Sequence, residues 1–174
     1  MILAHLDRFD RVLFKVLFRA RYKRWQHHTI RMMSRTGDGV LYALFALYLL
    51  LYSTPEQLRL LMVLVVAYVV ERPIYYCTKN LFQRLRPCDV LTPDAHIKPS
   101  DKFSLPSGHS AGAWVFAVVV GHFYPSAVPY LYFWASLVAC SRVFLGVHYP
   151  LDVLLGSILG YSCALFALLI TGTL

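Results

Sequence analysis

Cys140-Ser-Arg-Val-Phe-Leu-Gly-Val-His-Tyr-Pro-Leu-Asp152 sets Ser141, Arg142, His148 and Asp152 between two long apolar runs. A charged side chain at the centre of a bilayer span costs about 2.5–3.5 kcal/mol on insertion scales, so such groups collect near water-accessible ends and act there. Pro150 suits the first turn of a helix, where its missing N–H costs nothing. His148 then falls just ahead of a helix and Asp152 within its first turn. From there the carboxylate can take one imidazole nitrogen and leave the other free to attack. For this segment alone, a helix-capping Asp beside a structural His is the plainer reading.

Working outward, residues 103–141 and 153–174 contain no Asp, Glu, Lys or Arg, and neither do residues 39–55. A bilayer span needs about 20 largely apolar residues, so 103–141 holds two. The 174-residue chain is 58% hydrophobic and 15% charged, with mean hydropathy +0.55. Soluble domains are nearer half apolar and a quarter charged, so an integral membrane protein is expected. Net charge is +8, from 17 Lys+Arg against 9 Asp+Glu. That excess suits anionic lipid or a phosphate-bearing substrate. Nucleic acid is excluded as a partner, because the chain leaves no soluble domain to present a groove. Cys77, Cys88, Cys140 and Cys163 lack metal-site spacing, and no disulfide and no zinc are expected.

The whole of 1–174 reads as one domain without repeats. Residues 1–20 carry Ile2, Leu6, Phe9, Leu13, Val16 and Ala20 at helical spacing, with Arg8, Arg11, Lys15 and Arg19 opposite. This pattern predicts an amphipathic helix lying in the membrane interface; a helix packed on the spans is the alternative. Residues 21–35 read as a basic connector, broken at Gly37-Asp38-Gly39. Five spans come after it: Val40–Tyr52 (or from Ile30, if tilted), Glu56–Thr78, Pro106–Tyr124, Val128–Val143, and Asp152 to the C-terminus. Glu71-Arg72-Pro73 interrupts the second span. Pro73 is expected to kink that helix and Pro87 to end it. Were it continuous, Arg72, Lys79 and Arg86 would share a face. Residues 87–105 form the one sizeable loop, of a length that is often functional. Gly156 and Gly160 have the spacing of close helix packing. The predicted fold is all-α: a bundle of five spans plus an N-terminal interfacial helix, six helices in all.

Three polar clusters interrupt the apolar sequence: Lys79…Arg86-Pro87, Pro106-Ser107-Gly108-His109, and Ser141-Arg142…His148…Asp152. Counting spans brings all three to one membrane face. Singly, Lys79 and Arg86 read as snorkelling anchors, Ser107-Gly108 as a turn and His109 as a satisfied polar residue. Together they meet the demands of phosphoryl transfer. Lys79, Arg86 and Arg142 supply fixed positive charge for phosphate oxygens. The N–H groups of Ser107 and Gly108, at a helix start, can bind an anion. His148 can attack phosphorus with Asp152 holding its tautomer. His109 can protonate the leaving oxygen and then activate water. No ligand cluster for a metal stands in the sequence.

The patterns K-x6-RP (Lys79 to Pro87), PSGH (Pro106 to His109) and SR-x5-H-x3-D (Ser141 to Asp152) resemble the three-part signature of the type 2 phosphatidic acid phosphatase superfamily. The resemblance covers residues 79–152 and implies a helical membrane bundle with metal-independent, cofactor-free phosphatase activity through a phosphohistidine. It implies His148 as nucleophile, Asp152 as its partner and His109 as general acid/base. Lys79, Arg86, Ser107, Gly108 and Arg142 match its phosphate-binding positions. Family members usually have six spans, one more than read here. The implied substrates are isoprenyl pyrophosphate, phosphatidylglycerophosphate or phosphatidic acid. A phosphotransferase with the same intermediate and a non-catalytic anion- or lipid-binding membrane protein are the competing readings. A bacterial plasma membrane is the expected location. For the side faced by the site, the charge bias favours the cytoplasm, whereas the family's bacterial members usually face outward.

Overall fold

The computed structural model describes residues 2–18, 24–52, 54–91 and 101–173. They form α1 (Ile2–Phe18), α2 (Arg24–Thr36), α3 (Gly39–Tyr52), α4 (Pro55–Phe82), the single turn α5 (Pro87–Val90), α6 (Gly108–Phe123), α7 (Val128–Phe144) and α8 (Pro150–Ile170). A 3-10 turn at Pro125–Ala127 joins α6 to α7. No named strand occurs among the described residues; one bridge, Leu85 to Phe103, ties the segment after α4 to the one before α6.

The hub is α6. Its small residues Ala111, Ala113 and Ala117 are fully buried, so α4, α7 and α8 can close around it. Against α8 the approach is closest. A Cβ on Gly156 would lie 2.4 Å from the Ser107 carbonyl oxygen, and one on Gly160 would lie 2.1 Å from that of Ala111. Only glycine admits that crossing, as the small-residue spacing predicts. It also draws the start of α8 onto the start of α6, where the Ser107 N–H donates to the Asp152 carbonyl at 2.9 Å. Packing thus sets the registry of two clusters that lie far apart in the sequence.

Segments Pro55–Phe82, Pro125–Phe144 and Pro150–Ile170 are long and apolar enough to cross a membrane. Their outer residues, such as Val65 and Val69 on α4 and Leu154 and Ile158 on α8, are exposed along the helix, as lipid-facing positions must be. These three segments overlap three of the five expected spans. Helix α3 is apolar but has 14 residues, about 21 Å at 1.5 Å per residue, and α6 has 16.

Two expectations meet corrections. The basic connector is helical from Arg24 to Thr36; residues 21–23 lie outside the described residues. Its turn Met33-Ser34 packs on α7, with Met33 against Ala135 and Val138. Helix α4 runs through Pro73 and stops before Pro87, at Phe82, where Gln83 takes a left-handed conformation and its N–H caps the Lys79 carbonyl. The condition for Arg86 to share a face with Arg72 and Lys79, a continuous helix, is therefore not met. Residues 92–100 of the long loop are outside the described residues. Helix α1 packs on the bundle by one face and leaves apolar residues exposed on another. Phe9, Val12 and Val16 are exposed, while Phe14 is buried against Tyr149, Ala139 and Val143 of the bundle.

Candidate active site

A cavity of about 570 Å³ opens where the α2–α3 turn, α4 and the starts of α6 and α8 meet. Of the eight residues singled out in the sequence, Arg86, Gly108, His109, Arg142 and His148 line it. Lys79, Ser107 and Asp152 stand behind the wall.

His148 is held in place by the first turn of α8. Pro150 opens that helix, and Asp152 accepts the Tyr149 N–H on Oδ2 at 2.8 Å. This cap fixes the extended backbone from which the imidazole projects. The His148 Nε2 lies 3.2 Å from Arg86 Nη1 on the cavity side. Its Nδ1 is 3.7 Å from Asp152 Oδ2, too far for a hydrogen bond. Such contacts are often long in substrate-free sites and tighten in complexes. Burial, together with the positive charges of Arg86, Arg142 and Lys79, holds the His148 pKa well below its usual value. The imidazole is therefore neutral at pH 7 and keeps a lone pair on one nitrogen.

The cations are fixed from several elements. Arg86 is buried and donates through Nη1 to the Val147 carbonyl at 2.7 Å and through Nη2 to Asp101 Oδ1 at 2.5 Å. Lys79, one turn from the end of α4, pairs with Asp101 and with the Tyr75 hydroxyl. Burial raises the Asp101 pKa, but its bonds to Lys79 and Tyr75 and the charge of Arg86 prevail and hold it at about 2. Arg142, in the last turn of α7, donates through Nη1 to Ser34 Oγ at 2.6 Å. Its buried Nε has no partner among the described residues. On the opposite wall His109 Nε2 contacts Asp38 Oδ1 at 2.8 Å.

Ser107 plays a different part from the one its position suggests. It caps α6 with Oγ, which accepts from the Ser110 hydroxyl at 2.9 Å, and its N–H is taken by Asp152. Gly108 alone of this pair borders the cavity.

Sequence reasoning missed the parts played by five residues: Arg84, Asp7, Asp10, Asp38 and Asp101. Arg84 bridges Asp152 Oδ1 at 2.7 Å, Asp10 Oδ2 at 2.8 Å and Asp7 Oδ1 at 2.8 Å. Asp10 also accepts the Leu151 N–H, tying α1 to the start of α8. Asp101 and Asp38 hold the cations and His109. No spacing marks these residues, since each pairing closes over 15 or more positions. The available signal was scarcity: nine acidic residues in an apolar chain are seldom idle when placed beside its cationic clusters.

A helical membrane bundle with two imidazoles and three guanidinium groups around one cavity is built to receive an anion. The PAP2 superfamily model matches residues 40–174, which include all eight residues singled out in the sequence, and the chain belongs to that superfamily. It is 29% identical over 145 residues to an undecaprenyl-diphosphatase of Sulfolobus acidocaldarius, covering 74% of this chain and 62% of that protein. It thus spans less than two thirds of that relative's length. It is 29% identical over 132 residues to a decaprenylphosphoryl-5-phosphoribose phosphatase of Mycobacterium tuberculosis, covering 76% of this chain and 73% of that one. Among solved structures, LpxE of Aquifex aeolicus superposes with TM-score 0.77 at 25% identity over 90% of this chain and 92% of that one. A transmembrane PAP2-type phosphatidylglycerolphosphate phosphatase from Bacillus subtilis matches in fold, with TM-score 0.79 at 22% identity over 98% of this chain and 88% of that one.

Proposed function

We propose that this chain is a metal-independent lipid phosphatase, hydrolysing the phosphate or pyrophosphate head group of a membrane lipid through a phosphohistidine on His148. The observation that carries the reading is the buried imidazole of His148, its Nε2 beside Arg86 on a cavity that also holds His109 and Arg142. In this reading Arg86 and Arg142 grip the phosphate oxygens, with Lys79 adding charge from behind Asp101. The Nε2 lone pair attacks phosphorus, and His109 gives a proton to the departing oxygen. A water deprotonated by His109 then attacks the phosphohistidine and releases orthophosphate. Asp152 keeps the imidazole in orientation. The exposed apolar flanks of the spans support a substrate delivered from the bilayer, with a bacterial plasma membrane as the proposed setting.

The test is orthophosphate release from isoprenyl pyrophosphate, phosphatidylglycerophosphate and phosphatidic acid in detergent micelles, with excess chelator. Release from at least one at a chelator-insensitive rate is expected. A strict magnesium requirement, or no release from any, contradicts the reading.

A further inference from the structure

Arg72 lines the charged cavity, yet the proposed chemistry does not use it. It sits ten residues before the end of α4, too deep to be a surface anchor, and an arginine there must face protein or a water-filled space. It does so at a junction. Besides the charged cavity, an apolar groove of about 500 Å³ lies between α3 and α4, lined by residues such as Ala46, Leu61, Leu64 and Val65. Three residues border both spaces: Tyr42, Tyr68 and Arg72.

The guanidinium is built into place. Its Nε donates to Glu71, whose side chain is fully buried, and its Cζ lies 4.9 Å from the Tyr75 ring centre. Among the described residues it makes no other hydrogen bond, so the Nη1/Nη2 edge is left for an anion. That edge suits the bidentate grip of a phosphate or carboxylate.

We infer that Arg72 forms a second anion subsite, holding the tail-side phosphate of a lipid diphosphate whose hydrocarbon chain lies in the α3–α4 groove. The inference rests on the phosphatase reading and deepens it. Continuity fixes the order along the substrate: terminal phosphate among Arg86, Arg142 and His148, tail-side phosphate at Arg72, hydrocarbon beyond Tyr42 and Tyr68. The reaction balances in that order. The His148 Nε2 lone pair forms a bond to the terminal phosphorus, and the bond from that phosphorus to the bridging oxygen breaks. The electron pair leaves with the lipid monophosphate, whose added charge Arg72 offsets. A monophosphate has no anionic group at this position and depends on His109 to protonate an alkoxide.

The experiment compares kcat/KM for farnesyl diphosphate and farnesyl monophosphate in detergent, in the wild type and in Arg72→Gln. A lost charge-assisted contact predicts a fall of about 10- to 100-fold in the diphosphate-to-monophosphate ratio. Arg72→Lys, which keeps the charge but not the fork, is expected to lower the ratio by less. If Arg72→Gln gives no thermal unfolding transition, the Arg72→Lys ratio decides, and an unchanged ratio overturns the inference. Equal losses on both substrates overturn it too. A wild type that hydrolyses only the monophosphate overturns the inference and leaves the phosphatase reading standing. One that hydrolyses neither this pair nor any other lipid phosphate overturns both.

Discussion

Arg84 and Arg86 stand two residues apart after α4, and their surroundings are opposite. Arg84 is ringed by Asp7, Asp10 and Asp152. Despite burial, those carboxylates hold its pKa above the usual arginine value. Arg86 has one carboxylate, Asp101, and turns its Nη1 toward His148 and the cavity. Nothing in their chemistry separates the two side chains. The difference lies in the count of neighbouring carboxylates: three acids saturate a guanidinium and make it a fastener, whereas one leaves it charge to offer a ligand. The fastener joins α1 and the segment after α4 to the first turn of α8, so Asp152 is held from one side by structure and faces the site from the other.

Substitution of each arginine separates these roles, and the largest effect is expected at Arg86. Arg86→Gln should lower kcat/KM by about 10²–10³-fold, the usual cost of removing one preorganised group from a developing charge. Thermal unfolding in detergent should respond less to it than to Arg84→Gln. If Arg86→Gln retains near wild-type turnover, the cavity is not the site.

Next in size is Arg84→Gln, which strands buried carboxylates at Asp10 and Asp152. Breaking a buried ion pair from one side costs about 3–5 kcal/mol. A matching fall in stability is expected, read as a lower unfolding temperature. The pair Asp10→Asn with Arg84→Gln should recover part of it, because fewer charges are left unmatched. Full additivity of the two losses would show that the contact carries no coupling.

A smaller effect is expected in the pH profile. A lowered His148 pKa keeps the proposed nucleophile unprotonated below pH 6.5, so the acid limb of kcat/KM should lie under that value. After burial, Arg86 is the largest cause of the lowering. Residual activity of Arg86→Gln should therefore show its acid limb shifted to higher pH. An unchanged limb would mean that this titration does not belong to His148.

The smallest expected effect concerns Asp101. Its folded pKa of about 2 lies below the ordinary aspartate value of 3.8. It therefore contributes stability that is complete above pH 3.8 and lost as pH falls toward 2. Asp101→Asn should flatten the acid side of the unfolding-temperature profile in that window, and an identical profile would remove Asp101 from the ion-pair account.

How much of this was legible in the sequence depends on the range of each interaction. The start of α8 was readable because Pro150 and Asp152 act within one turn, so a local rule places the helix opening there; the His148–Asp152 hydrogen bond it also suggested is not formed, the two standing 3.7 Å apart. Gly156 and Gly160 were readable because helix crossing depends on spacing along a single helix. The end of α4 was not, since Gln83 stops the helix by backbone conformation four residues ahead of the proline that marked the boundary. The helical nature of α2 was hidden by its charge: Arg31 and Arg35 dominate the composition, whereas Met33 and Ser34 make the packing. Roles of carboxylates were least legible. Asp10, Asp38 and Asp101 are assigned by partners far along the chain, and only the folded bundle brings these together.

The central claim is that His148 carries the phosphoryl group. Its most direct measurement is rapid quenching, in alkali, of the detergent-solubilised protein during turnover of a ³²P-labelled lipid phosphate. Acid-labile, alkali-stable label should appear on the wild type. It should accumulate in His109→Ala with a good leaving group and be absent from His148→Ala, which should be inactive. Label that persists in His148→Ala, or turnover by that variant at near wild-type rate, would contradict the claim.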